Sequence, residues 1–594
     1  MFKIQMGGKL VILAAVAVGA YFSINQWMER SSIGKVTTGS SIAAKASIGG
    51  NEQAAVKAAS GSTKFNIPKS SNVEIRLAGI PWNAQIGLQR AMWPVASTPD
   101  GDFYTAGKDS MMAHRGINFK MRRIDDYSDL IAQQLLFAKQ VAAGVAQPTE
   151  GVHFAIMMGD GYGAYVAGMQ EAFAKINQQV EVISFVGYSR GEDKFMTPPN
   201  VKIDKNNARG LLVAGVPKDG DWNILINWAI DNDIPFNPNP LTYDKNAINF
   251  TSTKDFVEAG EKLISGACEQ RKEVIDGRIS GREVKACIKG IVTWTPGDVT
   301  VAEKIGGLVS IASTKEYRFQ MPAVVIGNKK WMEANQLAVE NMLAAAFNGA
   351  EFVRTDSELQ KGAEVAAIIY KEQNADYWAK YYKGVQALDK TGAVISLGGS
   401  LAATLGDNVY LFGMNTNDDL YKKIYHVYAG YVKHYYPTEL SEITKYESVV
   451  NTKYIRSLMS KATNSQAGEE RSYQPEAATT SFAKRQYSVA FQTGKSSFAP
   501  GATTSLQKLV DNLASSDMIV EIIGHTDDIG NVDSNMQLSE NRAIAIKDWM
   551  NQVGKIPAQR MKIKAMGPTQ PIADNKTVEG RAKNRRVEIE LLVK

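Results

Sequence analysis

GHTDDIGNVDSNMQLSENRA (524–543) is the stretch that decides how the end of the chain is read. It is entered through MIVEIIGHTD (518–527), whose alternation of apolar and polar residues predicts a strand. Asp527 closes that strand. The loop DIGNVDSNMQ follows, and the spacing from Asn541 to Val553 predicts a helix with Arg542 in its first turn or two. A helix that packs back on the same sheet would bring Asp527 and Arg542 together. One carboxylate and one guanidinium at a loop-rich edge suit a zwitterion carrying an ammonium and a carboxylate, because charge-assisted bonds outweigh neutral ones. Arginine can hold both oxygens of a planar carboxylate, and a helix N-terminus would add backbone N–H groups. The plainer alternative is that the two residues simply pair. Asp527, Asp528 and Asp533 lack the spacing of a calcium loop.

Working outward, YSVAFQ (487–492), RMKIKAMG (560–567) and RRVEIELLV (585–593) predict further strands. GKSSFAPGATTSLQKLVDNLASS predicts a loop and an amphipathic helix. The sum is a βαβαβ sandwich with one helical layer. GHTDDIGNVDSNMQLSENRA, followed by GPTQPIADNKTVEGRAKNRRVEI (567–589), closely resembles the OmpA-like peptidoglycan-binding domain. That resemblance covers 486–594. It implies that Asp527 holds the ammonium of meso-diaminopimelate in the peptidoglycan stem and that Arg542 holds its carboxylate. It also implies that Asn535 and Leu538 shape the pocket loop, that Thr526, Asn584 and Arg586 support it, and that His525 is structural.

Between 71 and 460, short β-rich runs alternate with helical spacing. Examples are VEIRLAGI (73–80), NFKMRRI (118–124), DYSDLIAQQLLFAKQVAAG (126–144) and HFAIMMG (153–159). Such alternation predicts a parallel-type α/β sheet, and the length predicts two lobes. MMAHRGINFKMRRIDDYSDLIAQQL, IMMGDGYGAYVAGM, VGYSRGEDKFM, GIVTWTPGDV and MPAVVIGNKKWMEAN resemble the type II periplasmic solute-binding proteins of the nitrate, sulfonate and taurine ABC-transporter class. Folds of that kind bind ligands between lobes at strand ends. The candidate contacts are therefore Trp82, Asn83, Asp160, Tyr162, Ser189, Arg190, Trp294 and Thr295, with a small anionic solute as the implied ligand. The plainer readings are lobe packing for the tryptophans and an ion pair with Glu192 or Asp193 for Arg190. In GDGYG (159–163) the third glycine is misplaced for a dinucleotide loop. Tyr421, Tyr425, Tyr428, Tyr431 and Tyr435 fall on one helix face, which reads as core rather than ligand wall.

At the N-terminus, Lys3 and Lys9 precede the apolar run Leu10–Ile24, with Trp27 beyond it. Residues 1–30 read as a membrane anchor with its N-terminus in the cytoplasm, or as a cleaved signal peptide. Residues 31–70 and 461–485 read as polar linkers, the first spanning about 35 Å on average. Both readings of the N-terminus place the body in a Gram-negative-type periplasm, where Cys268 and Cys287 are a disulfide candidate. The net charge of +6 comes with no basic run or nucleic-acid motif. The five histidines form no metal set, and no nucleophile elbow or Walker loop occurs. No enzyme, metal or cofactor is expected. The expectation is an inner-membrane-tethered envelope protein that grips peptidoglycan and carries a sensing or docking domain. The alternative is a scaffold or stator-like component of an envelope motor or secretion machine, with envelope protein partners and no small ligand. Against direct ion conduction, Leu10–Ile24 holds no ionisable residue.

Overall fold

The computed structural model describes residues 62–594 except 417, 466–467, 469–472, 488, 490 and 492–494. The apolar run 10–24 lies outside the described residues, as does most of the first linker. Among the described residues no helix is long and apolar enough to cross a membrane.

The apolar runs of the central region become buried strands. The first lobe builds β1 (Val73–Gly79), β2 (Ile117–Arg123), β3 (Phe154–Met158) and β4 (Val180–Ser189). Every residue of β3 and β4 is buried, as expected of strands covered on both faces. The chain then crosses through 190–193 into a second lobe. This lobe comprises β5 (Lys194–Thr197), β6 (Leu212–Gly215), α1 (Gly220–Asp231), β7 (Ile248–Ser252), β8 (Cys268–Ile275), β9 (Arg278–Thr293) and β10 (Val309–Ser313). It returns through 314–321 to β11 (Pro322–Asn328), and later adds β12 (Ser400–Ala402) and α2 (Leu420–Tyr435).

The first sheet runs β12-β4-β11-β3-β1-β2, and the second contains β8-β9-β6-β7 with β5 pairing β9 and β10. The expected parallel pairing holds only in part. β1 lies parallel to β2 and β3, whereas β11 runs antiparallel to both β3 and β4. The reason is the pair of lobe crossings: a strand arriving from the other lobe enters the sheet from the opposite end to strands built by local βαβ turns. Cys268 and Cys287 face each other across β8 and β9 and are disulfide-bonded. The tyrosines of α2 go to packing: Tyr421, Tyr425 and Tyr428 are fully buried, and the Tyr428 hydroxyl accepts from Asn227 Nδ2 at 2.7 Å.

The C-terminal sheet is ordered β13 (Thr480–Tyr487), β16 (Val587–Val593), β14 (Ile519–His525), β15 (Met561–Gly567). Its helices are α3 (Thr504–Asn512), α4 (Val532–Gln552) and α5 (Val578–Asn584). Two boundaries move. β13 begins at Thr480, inside the stretch expected as linker, and not at Tyr487. Its neighbour explains this, because seven of its residues register against β16. The other linker also ends early: Lys64–Phe65 pairs with Ala462–Thr463, and Thr63 donates to Glu351. The C-terminal sheet sits against the body. Phe319 N–H donates to Ser515 O at 2.8 Å, Asn227 Nδ2 reaches Ser515 Oγ at 3.3 Å, and the Tyr317 and Phe482 rings meet edge-on at 5.7 Å.

Candidate functional site

β14 is amphipathic by alternation and delivers its last residues, Gly524 and His525, to the sheet end. Gly524 is required there: a Cβ would stand 2.2 Å from Ser539 O of α4. This close approach lays α4 across the end of β14. Asn531 caps α4 by accepting from the N–H groups of Asp533 and Ser534. The helix thus starts at Val532, nine residues before the expected Asn541. Arg542 is its eleventh residue, about 15 Å along the axis from the N-terminus. The helix N-terminus therefore does not help Arg542 hold a carboxylate, which corrects the sequence-based expectation. The capping asparagine and the first-turn Asp533 were the overlooked start signals.

Asp527 and Arg542 do not pair. Asp527 Oδ2 accepts from Arg585 at 2.7 Å, and its Oδ1 accepts from Ile529 N–H at 3.3 Å. Arg542 is 7 % exposed, lies over the Phe491 ring at 5.1 Å and donates Nε to Lys495 O at 3.3 Å. Its terminal nitrogens have no hydrogen-bond partner among the described residues. Burial, and then the Arg585 guanidinium, pull Arg542 below the ordinary arginine range, while Asp527 pulls the other way. The three charges therefore share one field. Arg585 is the residue sequence reasoning missed. It stands between Asn584 and Arg586, and only its exposed pairing with Asp527 gives it away.

The interlobe candidates come together at the facing strand ends, where they are buried. Trp82, Asn83, Asp160, Tyr162, Ser189, Trp294 and Thr295 are each at most 7 % exposed. Most are engaged internally. Trp294 Nε1 donates across the cleft to Pro81 O at 3.3 Å, Tyr162 donates to Val449 O at 3.2 Å, and Thr295 Oγ1 donates to Asp298 at 2.9 Å. Ser189 Oγ lies 2.6 Å from Thr314 Oγ1. Arg190 does not pair with Glu192 or Asp193. It lies over the Tyr188 ring at 4.0 Å and donates to the carbonyl oxygens of Ser189 and Arg318. Asp160 accepts from Gln320 at 2.9 Å and from Asn223 at 3.1 Å. Between the lobes a cavity of about 30 Å³ remains, room for roughly two waters.

Residues 490–585 match the OmpA family. This segment is an OmpA domain. Outer membrane protein A of Bordetella avium is 40% identical over 103 residues, 17% of this chain and 53% of that protein. The peptidoglycan-binding protein ArfA of Mycobacterium bovis is 38% identical over 102 residues, 17% of this chain and 31% of that protein. The chain thus spans about half, or less, of the length of these curated relatives. The periplasmic nitrate-binding protein NrtA from Synechocystis PCC 6803 covers 66% of this chain and 90% of its own. Its identity is 10% and its TM-score 0.42.

In the OmpA domain the remaining expected positions hold the loop. Asn535 Nδ2 donates to Ile529 O at 3.0 Å and to Asp527 O at 3.4 Å, tying the first turn of α4 to the strand end. Thr526 Oγ1 donates to Asp527 O at 2.9 Å, and Thr526 N–H to Gly567 O. Asn584 Oδ1 accepts from the N–H groups of Ile572 and Ala573, fixing the loop after β15. Arg586 pairs with Glu588 at 2.6 Å. His525 Nε2 lies 3.6 Å from Glu588, and Lys484 completes the cluster. Bonds from His525, Lys484 and Arg586 overcome the effect of burial and hold Glu588 well below the ordinary carboxylate range. Leu538 is half-buried on the face of α4 one turn before Arg542.

Proposed function

We propose that the OmpA domain binds peptidoglycan without covalent attachment, through the free amino-acid end of meso-diaminopimelate. The carrying observation is that Asp527 and Arg542 stand in one electrostatic field at a sheet end without pairing each other. An acid and a guanidinium held apart suit a ligand with both charges, whereas a mutual ion pair would need none. The relatives that this domain resembles include a protein named for peptidoglycan binding, which supports the choice of polymer. Arg585 holds the place of the ligand ammonium on Asp527. Its side chain is 44% exposed, and exposed pairs contribute about 0–1 kcal/mol, so a diaminopimelate ammonium can displace it. In this proposal the body is a non-catalytic solute-binding or docking domain. The segment before residue 62 ties it to the inner membrane and leaves it in the periplasm.

Competition tests the site. Free meso-diaminopimelate should release the protein from purified sacculi at millimolar concentration. Cadaverine, which keeps the ammonium groups but carries no carboxylate, should be at least tenfold weaker. Equal potency of the two would remove Arg542 from the site.

A further inference from the structure

The cleft between the lobes holds more buried acid than cation, and five of its carboxyls have no ion-pair partner among the described residues. Asp160 follows β3, Glu192 and Asp193 lie on the first lobe crossing, and Asp219 and Asp221 lie at the start of α1. All five are at most 4 % exposed, and none makes an ion pair among the described residues. The nearest lysine in sequence, Lys194, is spent on Asp298 at 2.5 Å. An ordinary structural role accounts for part of the set. Asp219 caps α1 by accepting from Trp222 N–H at 3.1 Å, and Glu192 accepts from Ser400 and Asn83. Asp193 and Asp221 are not so explained. The Ser189 hydroxyl, the Trp82 indole and the Asp221 carboxyl surround Asp193 and ease its charge, yet none stands at full hydrogen-bond geometry to either of its oxygens, and Asp221 Oδ1 lacks such a partner too.

A second observation is independent of charge. Asn223 and Gln320 both turn their amide nitrogens to Asp160. Their amide oxygens, fully buried, then lack any donor. Asn83 Oδ1 is in the same condition. Trp82 Nε1 and Trp222 Nε1 are unmet donors in the same region, but the unmet oxygens outnumber them. A buried acceptor left unmet costs about 1–3 kcal/mol, and a buried carboxylate costs more. Burial, compounded by the neighbouring carboxyls, pushes Asp193 up to about 7 and Asp219 up to about 8. Aromatic and apolar groups, Tyr127, Phe256 and Trp294 among them, line the remaining cavity together with Asp125, Asp219, Asp255 and one cation, Lys254, and Asp219 is the member of the buried acid set that reaches it. Among the described residues no three carboxylates, histidines or cysteines converge at metal-holding distance.

We propose that this cleft binds a small organic cation, an amine whose N–H donors meet Asp193, Asp221 and the amide oxygens of Asn223 and Gln320, with aromatic walls around its carbon skeleton. An anionic solute, the ligand class implied by the sequence resemblance, does not suit a cleft whose unmet groups are mostly acceptors. The proposal rests on reading the body as a solute binder and names the class of solute. The space now present admits only water-sized groups, so binding requires the lobes to part, breaking the Trp294–Pro81 contact.

The experiment is a thermal-shift titration of the full chain, repeated by calorimetry. The panel is putrescine, spermidine, choline and methylammonium against nitrate, sulfate, phosphate and methanesulfonate. At least one amine should raise the melting temperature by several degrees at millimolar concentration. Asp193→Asn and Gln320→Leu should each weaken that binding at least tenfold. Two substitutions guard against one that fails to fold, and wild-type calorimetry alone separates cation from anion. A response to an anion only would overturn the cationic ligand while keeping a solute-binding body. No response to any compound would overturn both. An amine response unchanged in both variants would place the amine elsewhere and overturn the cleft site.

Discussion

In the proposed site, Asp527 stands between a buried guanidinium, Arg542, and an exposed one, Arg585. Arg542 is anchored by Phe491 and Lys495 O and has lost most of its own solvent, so a carboxylate is worth more to it than to a solvated arginine. Arg585 is largely in water and replaceable. Arg585→Ala is therefore predicted to change sacculus affinity less than threefold, measured by sedimentation, whereas Arg542→Lys loses the two-pronged contact and falls at least tenfold. The cleft acids make a second prediction at this scale. The folded state holds protons on Asp193 to about pH 7 and on Asp219 to about pH 8, against about 3.9 when unfolded. Folded protein binds more protons across that window. The stability these groups contribute is thus complete below about pH 4 and is lost as pH rises through 7 and 8. Trp82, Ser189, Tyr127, Asp160, Glu192, Asp219 and Asp221 face Asp193, and none is a cation. The ligand-free melting temperature should fall as pH rises from 5 to 8. Asp193→Asn should flatten the slope by up to one proton, about 1.4 kcal/mol per pH unit.

Among the elements, the contact of α4 with β14 positions the OmpA pocket. Gly524→Ala drives a methyl into Ser539 O, at 2.2 Å, where neither backbone can yield freely. It should destabilise the domain by about 1–3 kcal/mol, read as a lower denaturation midpoint. The β8–β9 hairpin carries the disulfide, which closes a loop of 19 residues. Replacing both cysteines by serine should cost up to about 3 kcal/mol, confined to the second lobe. Most strands were legible in the sequence because their alternation or apolar runs are local: β1, β2 and β3 lie within about two residues of expectation. Direction was not legible, because β11 takes its orientation from a lobe crossing and not from its own residues. The start of α4 was missed because VDSNMQLSE lacks a strong apolar stripe, which left Asn531 and Asp533 as its only start signals. In the same way Asp527 and Arg542 carry a pattern, while the Arg585 pairing is tertiary.

Over the whole molecule, α1 joins two places that the sequence kept separate. Its first turn carries Asp219 and Asp221 into the cleft, and its later turns bring Asn227 to Ser515 of the OmpA domain. Tyr317, on the second lobe crossing, packs on Phe482 of β13. The OmpA domain therefore rests on the segments that would shift if the lobes parted as proposed. Tyr317→Ala should loosen this seat, seen as faster amide exchange around 480–487 with the rest of the OmpA sheet unchanged. The central claim is that the C-terminal pocket holds the wall by its two opposite charges, and co-sedimentation of the full chain with purified sacculi tests it most directly. Wild type should pellet with the wall, and Asp527→Ala and Arg542→Ala, each with wild-type circular dichroism, should stay in the supernatant. Equal pelleting of wild type and both variants would contradict the account.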